Sequence, residues 1–192
     1  CLSKGYKSCI KKRCVKGSLF ASVVRVFSMK FHKMINVYKN VYAFITPSEF
    51  LKKKLSLNGF EEKRIHCIPT FTASKTTIGK QQIGSYGLYF GRVTEEKGVE
   101  TVIKAYEKLP EYTVKIMGDD TTDEAKRLKK YVENHKMKNV EFLGFKSGAE
   151  LENVIKGARF TLIPSIWYDN LPNTALESFQ YSKPVIASNI GS

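Results

Sequence analysis

No apolar run in this chain approaches the ~20 residues that a membrane-spanning helix needs. Residues 1–17 (CLSKGYKSCIKKRCVKG) do not show signal-peptide architecture either. No G-x-G-x-x-G follows a candidate strand and no P-loop is present, so neither a dinucleotide oxidoreductase nor a P-loop nucleotidase is supported. Cysteines are few, 4 in 192 residues, and the first three stand at 1, 9 and 14 without the paired C-x-x-C of a zinc ribbon. We read them as unpaired thiols in a basic loop, with zinc held by Cys1, Cys9 and Cys14 as the secondary reading. Nothing else indicates an oxidising compartment, which argues against disulfides.

Acidic residues are also scarce, but only locally. Residues 1–75 hold 16 of the 32 Lys and Arg and 3 of the 18 Asp and Glu, so the formal charge of +14 sits almost wholly in the first third. Such a block suits nucleic acid, an anionic membrane or an acidic substrate. We expect peripheral contact with anionic membrane through this region ahead of nucleic acid, as an accessory property. A hydrophobic content of 42% is ordinary for a globular chain, and 192 residues hold one domain or two incomplete ones. The chain opens at Cys1 and stops just after a strand, which reads as a fragment cut at both ends.

From residue 18 to about 40, Phe20, Val23, Val24, Phe27, Phe31, Met34, Ile35 and Tyr38 recur at helical spacing. The wide apolar stripe favours a core helix with a solvated basic face over a helix lying on a membrane. Residues 41–46 (VYAFIT) read as a strand, and Ser48 as the N-cap of a helix to about 57 that Asn58-Gly59 stops. A short strand follows at 65–68. Residues 70–84, rich in Thr, Ser, Lys, Gly and Gln, read as a linker.

Strands are predicted at 88–90, 113–117, 140–143, 160–163 and 184–187, with helices between them, which implies a parallel sheet covered on both faces. The first strand runs into Gly91-Arg92-Val93-Thr94-Glu95-Glu96-Lys97-Gly98. Two cations at the carboxyl end of a strand can neutralise a leaving diphosphate without a metal ion. Gly118 and Gly144 stand at other strand ends, where close backbone approach to a ligand is possible. Asp119-Asp120 reads as a solvated helix start in preference to a metal site.

The organising stretch is 160–188, FTLIPSIWYDNLPNTALESFQYSKPVIAS. It reads as strand, polar loop, short helix and strand, and in open α/β sheets ligands bind at such loops. Pro172 suits the first helical turn. The N–H groups of Asn173, Thr174 and Ala175 then face the loop, where a helix end attracts phosphate. Asp169 in the loop and Glu177 on the helix add two acids, so the stretch fits a ligand with both phosphate and hydroxyl groups. A nucleotide sugar meets that description. Trp167 and Tyr168 either stack on it or pack, and the sequence leaves both open.

This stretch resembles the donor site of the retaining GT-B glycosyltransferases of family 4, whose signature is two acids separated by seven residues. Here the first is Asp169, where the family usually has Glu, and the second is Glu177. The surrounding Pro164-Ser165, Asn170-Leu171-Pro172 and Lys183-Pro184-Val185-Ile186 follow the pattern, as does PSEFLKKKL at 47–55. Ser178 and Gln180 replace small apolar residues, and Ser182 replaces Gly. The resemblance covers roughly residues 40–192.

It implies a GT-B fold of two Rossmann-like domains with parallel sheets. Residues 1–69 would close an acceptor-side domain and 85–192 would form most of a donor domain. It further implies sugar transfer from a nucleoside diphosphate to a hydroxyl acceptor, with retention, although this piece alone is not expected to complete transfer. Arg92 and Lys97 would hold the diphosphate, Glu177 the ribose hydroxyls and Asp169 the hydroxyls of the transferred sugar. Gly91, Gly118, Phe145, Asn170, Leu171, Pro172, Asn173 and Thr174 would line the donor. A UDP- or GDP-sugar is the expected donor, no cofactor is required, and a cytoplasmic or inner-face location follows. The alternatives are a relative that binds a nucleotide sugar without transferring it, and a basic interaction module in residues 1–40.

Overall fold

The computed structural model describes residues 6–73 and 83–191. It divides into two compact units, Cys1–Ile68 and Pro69–Ser192. The stretch read as a linker falls largely on residues 74–82, outside the described residues.

In the first unit, residues 1–17 are not all loop: a short helix α1 (Lys7–Lys11) buries Cys9. The turn after it is tied down by Ser22, a buried residue whose hydroxyl accepts from Val15 N–H at 3.1 Å and donates to Ser18 O at 2.7 Å. That tie orders a segment whose composition alone reads as loop. Cys14 N–H donates to Cys9 O at 3.1 Å. Burial, then the hydrogen bond with Cys14, pushes the Cys9 thiol up and away from its reactive form. Cys1 lies outside the described residues, so the three-cysteine zinc reading falls there too.

Helix α2 (Leu19–Met34) starts where expected, with Ser18 accepting from Ala21 N–H. It is shorter than the apolar pattern, because Asn36 turns left-handed at φ 52° and a 3-10 turn at Val37–Asn40 follows. Within this unit it is not the core helix its stripe suggests. Only Ser22 and Val26 are buried, whereas Phe20, Phe27 and Met34 are more than two-thirds exposed. The reason is topological: β1 (Phe44–Thr46) and β2 (Ile65–Cys67) form a parallel sheet of two strands, too narrow to cover a helix on two sides. Helix α3 (Glu49–Ser56) joins them, capped by Ser48 as expected. No helix among the described residues is long and apolar enough to cross a membrane.

The second unit holds a five-stranded parallel sheet of β3 (Tyr86–Phe90), β4 (Val114–Met117), β5 (Val140–Gly144), β6 (Ala158–Ile163) and β7 (Val185–Ala187). Their spatial order is β5-β4-β3-β6-β7, so the chain winds outward one way from β3 and then the other way from β6. Alternate side chains point to opposite faces. Tyr89, Val114 and Ile116 meet α4 (Val99–Glu107) and α5 (Asp123–Asn134) in one core, through Ile103, Tyr106 and Leu128. Leu88, Phe90 and Met117 meet α6 (Gly148–Gly157) in the other, with Ile155 and Tyr181. Asn139, buried, donates to three carbonyls, those of Tyr106, Leu109 and Tyr112, at 2.9 to 3.1 Å. It thereby satisfies the carbonyls where α4 ends and the chain turns into β4. Helix α7 (Asn173–Gln180) packs on β6.

Candidate functional site

The cleft of interest lies at the carboxyl ends of β3 and β6, which are adjacent although their chain directions of winding diverge. Doubly wound sheets bind ligands at this switch point. Gly91, Arg92, Lys97, Ser165, Asp169 and Thr174 are among the residues lining a cleft of about 40 Å³. Two stretches far apart in sequence therefore meet: the turn after β3 with the approach to α4, and the loop after β6 with the start of α7.

Glycines make that meeting possible. A Cβ on Gly118 would stand 2.0 Å from Gly91 O, so the turns after β3 and β4 touch backbone to backbone. Gly98 has φ +68°, and a Cβ there would stand 2.1 Å from Pro164 O. The loop after β6 thus rests on Gly98, and Ile166 N–H donates to Glu96 O at 3.0 Å beside it. Any side chain at 98 would be strained and would push the two loops apart. Tyr89, read from sequence only as strand, donates its hydroxyl to Arg92 O at 2.5 Å and fixes the turn. Burial pushes its phenol up, so it stays a neutral donor. Thr122, which caps α5, donates to Val93 O at 2.8 Å and closes the other side of the turn.

Lys97 Nζ lies 2.6 Å from Asp169 Oδ2, and both side chains are only 18% exposed. Ser165, buried, donates its hydroxyl to the same oxygen at 2.7 Å. Lys97 also stands 6.0 Å from the Trp167 ring, whose indole contributes a further hydrogen bond to Asp169. Burial raises the Asp169 pKa, but the hydrogen bonds from Lys97 and Ser165 outweigh it and leave the carboxyl below its ordinary value. Gly191 pairs with Asp169 in a parallel bridge and supports the loop from behind. Gly191 is a member of the site that the sequence did not single out, whereas Ser165 was read only as part of the motif and Trp167 only as a ring that stacks or packs.

The remaining expected residues spread around this centre. Arg92 lines the cleft with an exposed side chain whose guanidinium pairs with Glu96 at 3.6 Å. Pro172 does not occupy the first helical turn. It is extended (φ −62°, ψ 132°) and precedes α7 as its cap residue, since its carbonyl accepts from Ala175 N–H at 2.9 Å. That bond removes Ala175 from the donors expected to face a phosphate and leaves Asn173 and Thr174 leading the helix end. Leu171 sits just before it at φ 51°, in the left-handed region, and Asn170 is exposed. Glu177 is half-buried on α7, one turn past Thr174 and outside the lining of the cleft. Phe145 is 74% exposed at the end of β5, two strands from β3.

The departures at 178, 180 and 182 acquire physical explanations. Ser178 is fully buried; it accepts from Thr161 at 2.8 Å and donates to Thr174 O at 2.6 Å, so α7 is bonded to β6 where apolar packing is usual. Gln180 donates to Thr72, and Ser182 adopts φ 54°, a conformation glycine takes without strain. Asp119 accepts from Thr121 N–H at 2.9 Å and Asp120 pairs with Lys129 at 2.5 Å, so both acids serve the turn into α5. No metal-binding cluster occurs among the described residues.

A larger cavity, about 640 Å³, lies in the first unit between Phe44, Phe60, Tyr38, Leu51, Lys54 and Arg64. It opens at the amino ends of β1 and β2, since Phe44 begins one strand and Arg64 precedes the other. That is the edge opposite to the one α/β sheets use for ligands. The small cleft at 91–174 is therefore the candidate site.

Residues 74–192 match the glycosyl transferases group 1 family. The chain belongs to that family. Uncharacterized glycosyltransferase MJ1607 of Methanocaldococcus jannaschii is 30% identical over 195 residues, covering 97% of this chain and 44% of that protein. Among solved structures, a glycosyltransferase from Rickettsia africae superposes with TM-score 0.69 at 21% identity, covering 81% of this chain and 48% of that one. Anabaena HepE in complex with UDP gives TM-score 0.68 at 20% identity, over 78% and 45%. The fold is that of GT-B glycosyltransferases, and the chain spans less than half the length of these relatives.

Proposed function

We propose that the chain carries the donor half of a glycosyltransferase that moves a sugar from a nucleoside diphosphate to a hydroxyl acceptor, with retention of configuration. The observation that carries this reading is the convergence of Arg92, Lys97, Asp169 and the leading N–H groups of α7 at the switch point of a doubly wound sheet. Arg92 and Lys97, assisted by the N–H groups of Asn173 and Thr174, hold the diphosphate and take up its charge as the anomeric C–O bond breaks. A new bond forms to the acceptor oxygen, whose proton passes to the departing diphosphate oxygen. Asp169 orients the hydroxyls of the sugar and Glu177 those of the ribose. Gly118 lets the backbone approach the nucleotide, and Phe145 offers an exposed ring toward the base side. Two cations make a bound metal unnecessary for this step.

A UDP-sugar is the donor of choice, because HepE of the same fold was solved with UDP and with UDP-glucose; a GDP-sugar is the second option. Calorimetric titration of the chain with UDP, GDP and ADP tests the reading. Saturable binding of one nucleotide, weakened at least tenfold in Arg92→Ala and in Glu177→Ala, is expected. Wild-type-like affinity in both variants would overturn the assigned roles. Turnover of the matching nucleotide sugar, by hydrolysis or transfer, separates an enzyme from a binding-only relative.

The first unit supports a second, accessory reading: attachment to an anionic membrane face. Helix α2 presents Phe20, Phe27 and Met34 to solvent, flanked by Arg25, Lys30 and Lys33. Co-sedimentation with vesicles containing anionic lipid, lost in high salt or in Phe20→Ser/Phe27→Ser, is the expected outcome. Equal binding to neutral vesicles would contradict it.

A further inference from the structure

The closest ion pair in the donor cleft joins two groups that the proposed reaction needs to be doing different things. Lys97 is there to meet the diphosphate and Asp169 to meet the sugar, yet they grip each other at 2.6 Å, and the cleft they line is only about 40 Å³. Both side chains are largely shielded from water, so the pair is stronger than a surface ion pair, and a ligand must replace it with something as good. A diphosphate is such a replacement for Lys97. It offers the ammonium a doubly charged partner, and the unbranched lysine stem, rooted in the 3-10 turn at Glu95–Lys97, can swing to reach it.

What becomes of Asp169 is the second half of the question. A carboxylate abandoned by its cation in a half-buried site would be expelled or protonated unless other donors keep it. Ser165 supplies a hydrogen bond to Oδ2 at 2.7 Å, from a buried position directly after β6, and the Trp167 indole supplies another. The parallel bridge to Gly191 holds the backbone of residue 169 itself. Asp169 therefore has supports that do not depend on Lys97. Lys97 has no comparable set: among the described residues its hydrogen-bond partner is Asp169, so it is the mobile member of the pair.

Resting on the donor-site reading above, we propose that the Lys97–Asp169 pair is a latch exchanged on donor binding. Lys97 leaves Asp169 for the incoming diphosphate, while Ser165 acts as the positioning residue that keeps Asp169 aimed at the sugar. The latch makes occupation of the phosphate subsite the event that frees the carboxylate for the sugar. The short Asp169 side chain is reached by Lys97 and Ser165 at the same oxygen.

The test is a double-variant cycle on the whole chain, read by titration with UDP, GDP, ADP and inorganic pyrophosphate. Asp169→Asn removes the competitor for Lys97, so the wild-type nucleotide should bind about threefold to tenfold tighter. In a Lys97→Met background the same substitution should change affinity less than twofold, because no latch remains to be released. Simple repulsion between carboxylate and diphosphate would instead give the same gain in both backgrounds, and that result overturns the proposal. A measurement without substitution guards against misfolded variants. The Asp169 13Cγ and Lys97 15Nζ resonances of the wild-type chain should both move on saturation with pyrophosphate, and fixed resonances at saturation contradict the exchange. For Ser165, the alanine variant should lose the pyrophosphate-bound position of the Asp169 13Cγ resonance and Ser165→Thr should restore it. An unchanged resonance in Ser165→Ala removes the positioning role. If the folded wild-type chain binds none of the four ligands, the donor-site reading falls and the latch with it. Binding by wild type with no gain in Asp169→Asn sinks the latch alone.

Discussion

The two units of this chain solve the same problem with different success. In the second, five parallel strands with helices on both faces bury two separate cores, and residues such as Leu88, Ile103 and Ile116 are sealed from water. In the first, two strands share three helices, and a 16-residue helix shows solvent most of its phenylalanines. The difference teaches that an amphipathic stripe states only that a helix needs a partner, and sheet width decides whether it has one. It also locates precision. The loops of the second unit rest on a rigid sheet, so groups more than 70 residues apart in sequence reach hydrogen-bond distance.

That contrast can be broken by substitution. The largest effect is expected at Gly98, where alanine meets both a left-handed φ and the Pro164 carbonyl. Gly98→Ala should cost about 2–4 kcal/mol in denaturant unfolding and abolish nucleotide binding. A loss below 1 kcal/mol would show that the loops are not braced there. Asn139→Ala follows, at about 1–2 kcal/mol, because a buried amide and its three hydrogen bonds to the turn after α4 are lost. In the first unit the prediction reverses with one step along the helix. Val26→Ala should cost about 1–2 kcal/mol, whereas Phe27→Ser should stay within about 0.5 kcal/mol. Equal losses would mean that the outward face is packed against something. Ser182→Gly should stabilise by about 1 kcal/mol through relief of its left-handed backbone.

The smallest effect is one of pH. Asp169 has a folded pKa below its ordinary value, so its stabilising contribution is complete above that ordinary value and fades as pH falls through the folded one. Unfolding free energy measured from about pH 5 to pH 2 should decline less in Asp169→Asn than in wild type. A parallel decline would show that the carboxylate gains nothing from its partners in the fold.

Much of the second unit was legible beforehand, for identifiable reasons. Its strands are short apolar runs bounded by Gly or Pro, so element type and order could be read locally. The G-R-x(4)-K-G turn and the pair Asp169 and Glu177 were legible because residue type and spacing suffice to mark them. Strand order was not, and it is strand order that sets β3 beside β6 and so brings Lys97 to Asp169. Ser165 and Trp167 were noted, but not their hold on Asp169, because holding another side chain leaves no periodicity. Pro172 was misplaced by one position, since proline fits both the cap and the first turn, and only the Ala175 N–H distinguishes them. The exposure of α2 was invisible because a stripe of Phe and Val reads alike whether or not anything covers it.

The central claim is that the nucleotide site lies in the small cleft of the second unit and not in the larger cavity of the first. Amide chemical-shift mapping of the 15N-labelled chain, titrated with the nucleotide that binds best, tests this most directly. Shifts concentrated at Gly91 to Lys97, Ser165 to Asp169 and Asn173 to Thr174 are the predicted result. Shifts gathered around Phe44, Lys54, Phe60 and Arg64, with the residues of the cleft unmoved, would contradict it.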